Sequence, residues 1–284
     1  MPIDREKAMA YEFPEATGSY GPDDVILYHL GVGAGDPPTD ANELEYCYEK
    51  NLKVLPSFTT VVRTRGGGNL MKVPGLEFNP VMLLHGEQEV ILHRPLPTEA
   101  TVTSQSRIAD IFDKGKAALA ILEMAARTED GEPLYTNRMS LFLRGEGGFG
   151  GPRGPEIGNE PPGRDPDAVF ESKTLPQQAL LYRLNGDKNP LHADPEFAAR
   201  AGFERPIIHG LCSYGIVCKA VVDGMLDGDV TRVARYQARF RGVAFPGETY
   251  QTAAWREGDR ILIQAKSKDR DAIVISNAVI EVRG

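Results

Sequence analysis

The chain has 284 residues, of which 41% are apolar, 25% charged and 8% aromatic. That balance supports a sizeable core and excludes disordered, collagen-like, coiled-coil and disulfide-scaffold classes. Thirty-two Lys and Arg against forty Asp and Glu leave a net charge of −8, a field that repels phosphate backbones, so nucleic acid is not expected as a partner. No run of eighteen apolar residues is present and no membrane association is expected. The opening Met1-Pro-Ile-Asp-Arg-Glu-Lys resembles neither a secretory signal nor a transit peptide, so the expectation is a cytoplasmic protein. Cys47, Cys212 and Cys218 are an odd count without metal-site spacing and read as reduced core residues.

Along the chain, the first patterned segment is Tyr28-His-Leu30, followed by Gly31-Val-Gly-Ala-Gly-Asp36. The glycines lack G-x-G-x-x-G spacing and a flanking strand-to-helix unit, so dinucleotide binding is not expected. Arg65-Gly-Gly-Gly-Asn69 lacks the Gly-Lys-Ser/Thr of a phosphate loop and reads as a mobile surface loop. Apolar or alternating runs predict strands over Leu92–Val102, Thr103–Phe112, Ala117–Ala126 and Arg138–Leu143, with turns at Asp113-Lys-Gly and Glu129-Asp-Gly. The Gly- and Pro-rich stretch from Arg144 to Pro166 can hold neither a helix nor a central strand. It divides the chain into a unit over 1–147, a linker over 148–166 and a unit over 167–284.

The strand rhythm resumes at Val233–Gly242, Glu248–Trp255, Arg260–Lys268 and Ala272–Val282. Each half carries a helical stretch ahead of its strands, the pattern of an α+β unit with an antiparallel sheet wrapped on a helix. The halves also look like diverged copies. Tyr28-His-Leu30 matches Tyr182-Arg-Leu184, and Leu96-Pro-Thr-Glu99 matches Phe245-Pro-Gly-Glu248, in similar register.

The chemistry concentrates in Tyr182-Arg-Leu-Asn-Gly-Asp187-Lys-Asn189-Pro-Leu-His192-Ala-Asp194-Pro195. Asn-Gly-Asp and Asn-Pro are turn formers, so Asp187 and Asn189 sit on a bend that can aim side chains into a cleft. Asp194 and Pro195 predict an N-cap and first helical position, with Gly202 as the stop, which leaves His192 just outside a helix start. Next, Arg205-Pro-Ile-Ile-His209-Gly210 opens a helix that is apolar all round and must be buried. Its first turn has backbone N–H groups without partners, and at Gly210 no side chain stands between them and a carbonyl oxygen.

Tyr-x-Leu-x-Gly-Asp-x-Asn-Pro-Leu-His, then Ile-His-Gly opening an apolar helix, then Phe-Pro-Gly-Glu, together resemble the MaoC-like hydratase 2 family, in its two-domain (R)-specific 2-enoyl-CoA hydratase form. The resemblance implies an α+β double hot-dog, each half an antiparallel sheet wrapped around a central helix, with catalysis in the second half. The first half, with no His at the equivalent spacing, resembles a copy that has lost its catalytic residues. Carried over, the resemblance makes Asp187 and His192 the catalytic pair, Asn189 their assistant on the substrate side, and the Gly210 N–H the donor to the thioester oxygen. The implied reaction is reversible syn hydration of trans-2-enoyl-CoA to (R)-3-hydroxyacyl-CoA, in fatty acid metabolism, without metal or redox cofactor.

Other residues carry less. His85 and His93 lack a partner motif and read as structural, as does His209 at the start of the buried helix. Arg235, Gln237, Arg239 and Arg241 share one face of a strand. Arg239 and Arg241 either hold the CoA phosphates or belong to a solvated face. Ser57 and Ser213 sit in no G-x-S-x-G elbow. The rival readings are a 3-hydroxyacyl-thioester dehydratase or thioesterase of the same fold, and a non-catalytic acyl-CoA-binding module. Pairing of two chains into a homodimer stays open.

Overall fold

The computed structural model describes residues 3–66, 69–156 and 158–284, and among these described residues it has six α-helices and eleven strands. The strands are β1 (Ala16–Tyr20), β2 (Arg65–Gly66), β3 (Leu83–Leu92), β4 (Ala100–Asp113), β5 (Ala117–Thr128), β6 (Pro133–Arg144), β7 (Ala168–Lys173), β8 (Val233–Phe240), β9 (Thr249–Glu257), β10 (Arg260–Ser267) and β11 (Ala272–Val282). They form one sheet in the order β2-β1-β4-β5-β6-β3-β8-β11-β10-β9-β7. The two halves meet at the antiparallel pair β3–β8, where Glu87 faces Arg239 and Ile91 faces Arg235.

Most predicted strands hold to within a few residues, but the run Leu92–Val102 is not one strand. β3 ends at Leu92 and β4 begins at Ala100, because Pro95 and Pro97 between them lack the N–H a ladder requires. Of the predicted loop Arg65–Asn69, Arg65 and Gly66 pair with Thr17 and Ala16, and Gly67 and Gly68 lie outside the described residues. The repeat holds in space, since the two Pro-containing turns lead directly into β4 and β9.

The helices are α1 (Arg5–Met9), α2 (Pro22–Gly31), α3 (Ala41–Cys47), α4 (Gln178–Tyr182), α5 (Pro195–Arg200) and α6 (Gly210–Met225). As its composition requires, α6 is buried around most of its circumference, from Cys212 to Cys218 and again at Val221 and Val222. Tyr214 stacks on Tyr236 of β8, with centroids 4.1 Å apart, and each hydroxyl donates to the other's backbone carbonyl. The two halves are unequal. In the first, a short 3-10 turn, Pro56–Thr60, packs against β3, β6 and α6, while α2 packs on α4, with Tyr28 edge-on to Tyr182. One core therefore takes Tyr28, Val32, Tyr46 and Phe58 from the first half and α6 from the second.

Opposite charges run across the seam on the other face of the sheet. Arg107, Glu123, Arg138, Glu89, Arg235 and Glu281 alternate over β4, β5, β6, β3, β8 and β11, each paired with the next. Glu123 and Glu89 are buried, so these cross-strand pairs satisfy charges that burial would otherwise penalise.

Where α2 crosses α6, a Cβ at Gly215 would sit 2.5 Å from both the Tyr28 hydroxyl and Val32. Gly215→Ala should lower unfolding free energy by about 1–3 kcal/mol despite alanine's better helix propensity. Urea titration checks this; a variant as stable as wild type would show that the helices can separate freely.

Candidate active site

Local caps at Asp187, Asn189 and Asp194 shape the segment 183–194. A 3-10 turn, Arg183–Asn185, ends at Gly186, whose φ of +130° a side chain would strain. Asp187 then accepts the Asn189 N–H through Oδ1 (3.0 Å), and Asn189 Oδ1 accepts the Leu191 N–H (3.0 Å), opening the 3-10 turn that carries His192. Asp194 caps α5 as predicted, accepting from Glu196 and Phe197, and Gly202 follows at φ +88°. The first half clamps the segment: Arg63 donates to the carbonyls of Leu184 and Asn185. Gln178 in turn donates to the last carbonyls of α2, at Leu30 and Gly31.

These constraints gather Asp187, His192 and His209, with one carboxylate oxygen and one ring nitrogen of each histidine within 4.8 Å of one another. Among the described residues this is the only such group of three His, Cys, Asp or Glu. Asp187 is exposed; His192 and His209 are buried, their rings stacked 3.7 Å apart and 26° from parallel. His192 Nδ1 donates to the Ile207 carbonyl (2.8 Å). In the neutral ring that bond leaves Nε2 a bare acceptor.

His209 is the N-cap residue of α6, and no side chain caps the helix. The N–H groups of Gly210 and Leu211 therefore have neither an intrahelical acceptor nor a cap. Gly210 is exposed, and a Cβ there would only touch the Phe240 ring, at 3.5 Å.

Two atoms 4.8 Å apart can both hydrogen-bond one water at about 2.8 Å, with an angle near 120° at its oxygen. The cluster therefore has room for one bridging water.

Asp187, His192, Asn189 and Gly210 thus fall in one region, as their spacing suggests. Asn189 uses its Oδ1 as a cap. Arg239 points to the sheet face opposite its neighbour Phe240, whose ring lies beside Gly210, and its nearest carboxylate is Glu87 at 3.9 Å. Arg241 is exposed just beyond β8. The sequence reading assigned His209 to packing alone and so missed its place in the cluster; its position directly before Gly210 was the available signal. His93 bonds Thr136, and His85 bonds the Glu87 carbonyl.

Burial favours the neutral form of four of the imidazoles. It pushes His29, His85 and His209 down to about 4, with His192 next to His209 adding to that residue's shift. It also lowers His192, against the opposing pull of the Ile207 bond and Asp187.

Family models match along the chain: an MFE-2 hydratase 2 N-terminal domain at residues 19–145 and a MaoC-like domain at 158–278. An enoyl-CoA hydratase of Mycobacterium tuberculosis is 46% identical, covering 98% of each chain. A peroxisomal enoyl-CoA hydratase 2 of Arabidopsis thaliana is 41% identical over 97% of this chain and 94% of its own. Among solved structures, a MaoC-like dehydratase from Phytophthora capsici superposes with a TM-score of 0.87 at 33% identity, covering 98% of both chains. A Mycobacterium tuberculosis protein described as a double hotdog fold aligns at 0.56 with 13% identity, a likeness of fold alone. Fold and site together define a MaoC-like double hot-dog protein. The chain belongs to the two-domain enoyl-CoA hydratase 2 family.

Neutral buried imidazoles also make stability pH-dependent. The unfolded chain binds protons near the ordinary 6.5 and the fold only near 4, so the unfolded state takes up more protons in that window and stability falls as pH drops through it. Urea unfolding between pH 7 and 5 should show a slope equivalent to roughly two to four protons taken up. A flat profile would mean that these rings are charged in the fold.

Proposed function

We propose that the protein is an (R)-specific enoyl-CoA hydratase, a hydro-lyase that reversibly adds water to trans-2-enoyl-CoA to give (R)-3-hydroxyacyl-CoA. One observation carries the reading: a buried, neutral His192 with a free Nε2 lies beside the Asp187 carboxylate, next to the uncapped start of α6. In the hydration direction, Asp187 and His192 hold one water between them. One of the pair accepts its proton as the oxygen attacks C3, and a proton returns to C2 through the same pair. With one water held by both, oxygen and proton reach the same face, which gives syn addition.

As C3 accepts oxygen, negative charge develops on the thioester oxygen. The free N–H groups at Gly210 and Leu211, at the positive end of α6, are the donors that stabilise it, and one such donor is worth roughly 3–4 kcal/mol. Every proton transfer and every developing charge is thus met by protein groups, so the reaction calls for no metal or redox cofactor. Asn189 shapes the turn that presents Asp187. Arg241, exposed and with no acidic side chain bonded to it among the described residues, is the freer of the two arginines for a CoA phosphate, since Arg239 lies 3.9 Å from Glu87.

A relative named 3-hydroxyacyl-thioester dehydratase, from Mycobacterium tuberculosis, is 39% identical over 91% of both chains. Dehydration is the same chemistry run backwards, so substrate supply decides the direction. Unpaired thiols at Cys47, Cys212 and Cys218 accord with a cytoplasmic setting, and no helix among the described residues is long and apolar enough to cross a membrane. We further propose a homodimer formed through exposed sheet edges or helices.

Incubation with crotonyl-CoA should yield (R)-3-hydroxybutyryl-CoA, identified by chiral chromatography. Asp187→Asn and His192→Ala should each lower kcat by about 10²–10⁴-fold with acyl-CoA binding largely kept. Free thiol in place of hydroxyacyl-CoA would point to hydrolysis, and unchanged hydration in both variants would move the site elsewhere.

A further inference from the structure

We infer that His209 is a positioning residue that locks the two acid–base groups and the start of α6 into one rigid unit; the inference rests on the proposed hydration. Three observations converge on this ring. Its Nε2 lies 3.3 Å from the backbone carbonyl of Asp187. A carbonyl only accepts, so Nε2 carries the hydrogen and donates, tying α6 to the loop that presents the carboxylate. Its face lies on His192, 3.7 Å away, and Gly210 follows it in the chain.

The tautomers are thereby fixed in opposite senses. His192 is protonated on Nδ1 and free on Nε2; His209 is protonated on Nε2 and free on Nδ1. The free Nδ1 of His209 is buried without a donor, an arrangement that costs about 1–3 kcal/mol. A phenylalanine would fill the same space, stack on His192 and avoid that cost. What phenylalanine lacks is the hydrogen bond to Asp187, and that bond is what separates positioning from packing.

Burial first, and His192 beside it, disfavour the charged form of His209. His192 faces it across the stack, the Tyr182 ring lies 4.9 Å away, and the Arg183 charge disfavours protonation of both histidines, opposed by Asp187. A second positive charge 3.7 Å from His192 would compete for the water that the pair must hold. Held neutral, His209 supports the pair without joining the proton transfer.

Two substitutions separate the roles. In His209→Gln the side-chain amide replaces the Nε2 donor without the ring; His209→Phe keeps the ring without the donor. The Gln variant should keep kcat within about tenfold of wild type. The Phe variant should lose about 10²-fold in kcat with KM within about threefold, the scale of a misplaced catalytic group. Wild-type kcat in the Phe variant would overturn the inference, as would Gln and Phe variants that lose activity equally in parallel with thermal stability. Independently of any reaction, 15N spectra of the imidazoles in the substrate-free protein should show His209 protonated on Nε2 and His192 on Nδ1. The reverse tautomers would overturn the inference outright. The expected tautomers in a protein that fails to hydrate enoyl-CoA would uphold the geometry and overturn only the hydratase reading.

Discussion

Burial of α6 is the constraint on which the rest depends. A helix apolar around nearly its whole surface has no stable place except inside a sheet, and so the strands of the second half close over it. Its first turn cannot be buried in the same way, because the N–H groups there need acceptors. The helix therefore starts at the edge of the core, where the loop 183–194 and the clamp from the first half meet it. The donors of the site follow directly from the packing of the rod.

The first half serves this arrangement in two ways. Its sheet continues the second through β3 and β8, with charges alternating across the seam. Its α2 and Pro56–Thr60 turn fill the space beside α4 and α6. The Gly33 and Gly35 loop in this half bonds Glu43 rather than presenting a carboxylate and imidazole. The candidate site thus belongs to the second half, and the first half holds its loop through Arg63.

Within the site, each polar residue that could act chemically is also held by the backbone around it. Asp187 accepts an N–H two residues on, His192 donates to Ile207, and His209 donates to Asp187. This is the preorganisation that acid–base catalysis on a bound water requires, since a small displacement of either group removes it from reach.

The sequence alone determined what local chemistry dictates. Turn formers and caps placed Asp187, Asn189 and Asp194, composition required a buried α6, and alternation located most of the long strands. It left unread what depends on neighbours remote in the chain. The short strands β1, β2 and β7 carry too few residues for a period to show, and prolines inside Leu92–Val102 outweighed its apolar character. Only the tertiary structure made the halves unequal, turned Arg239 to the face away from Gly210 and laid His209 on His192. Spacing along a chain fixes which face a side chain occupies, whereas what that face meets is settled by packing between segments that fold from far apart.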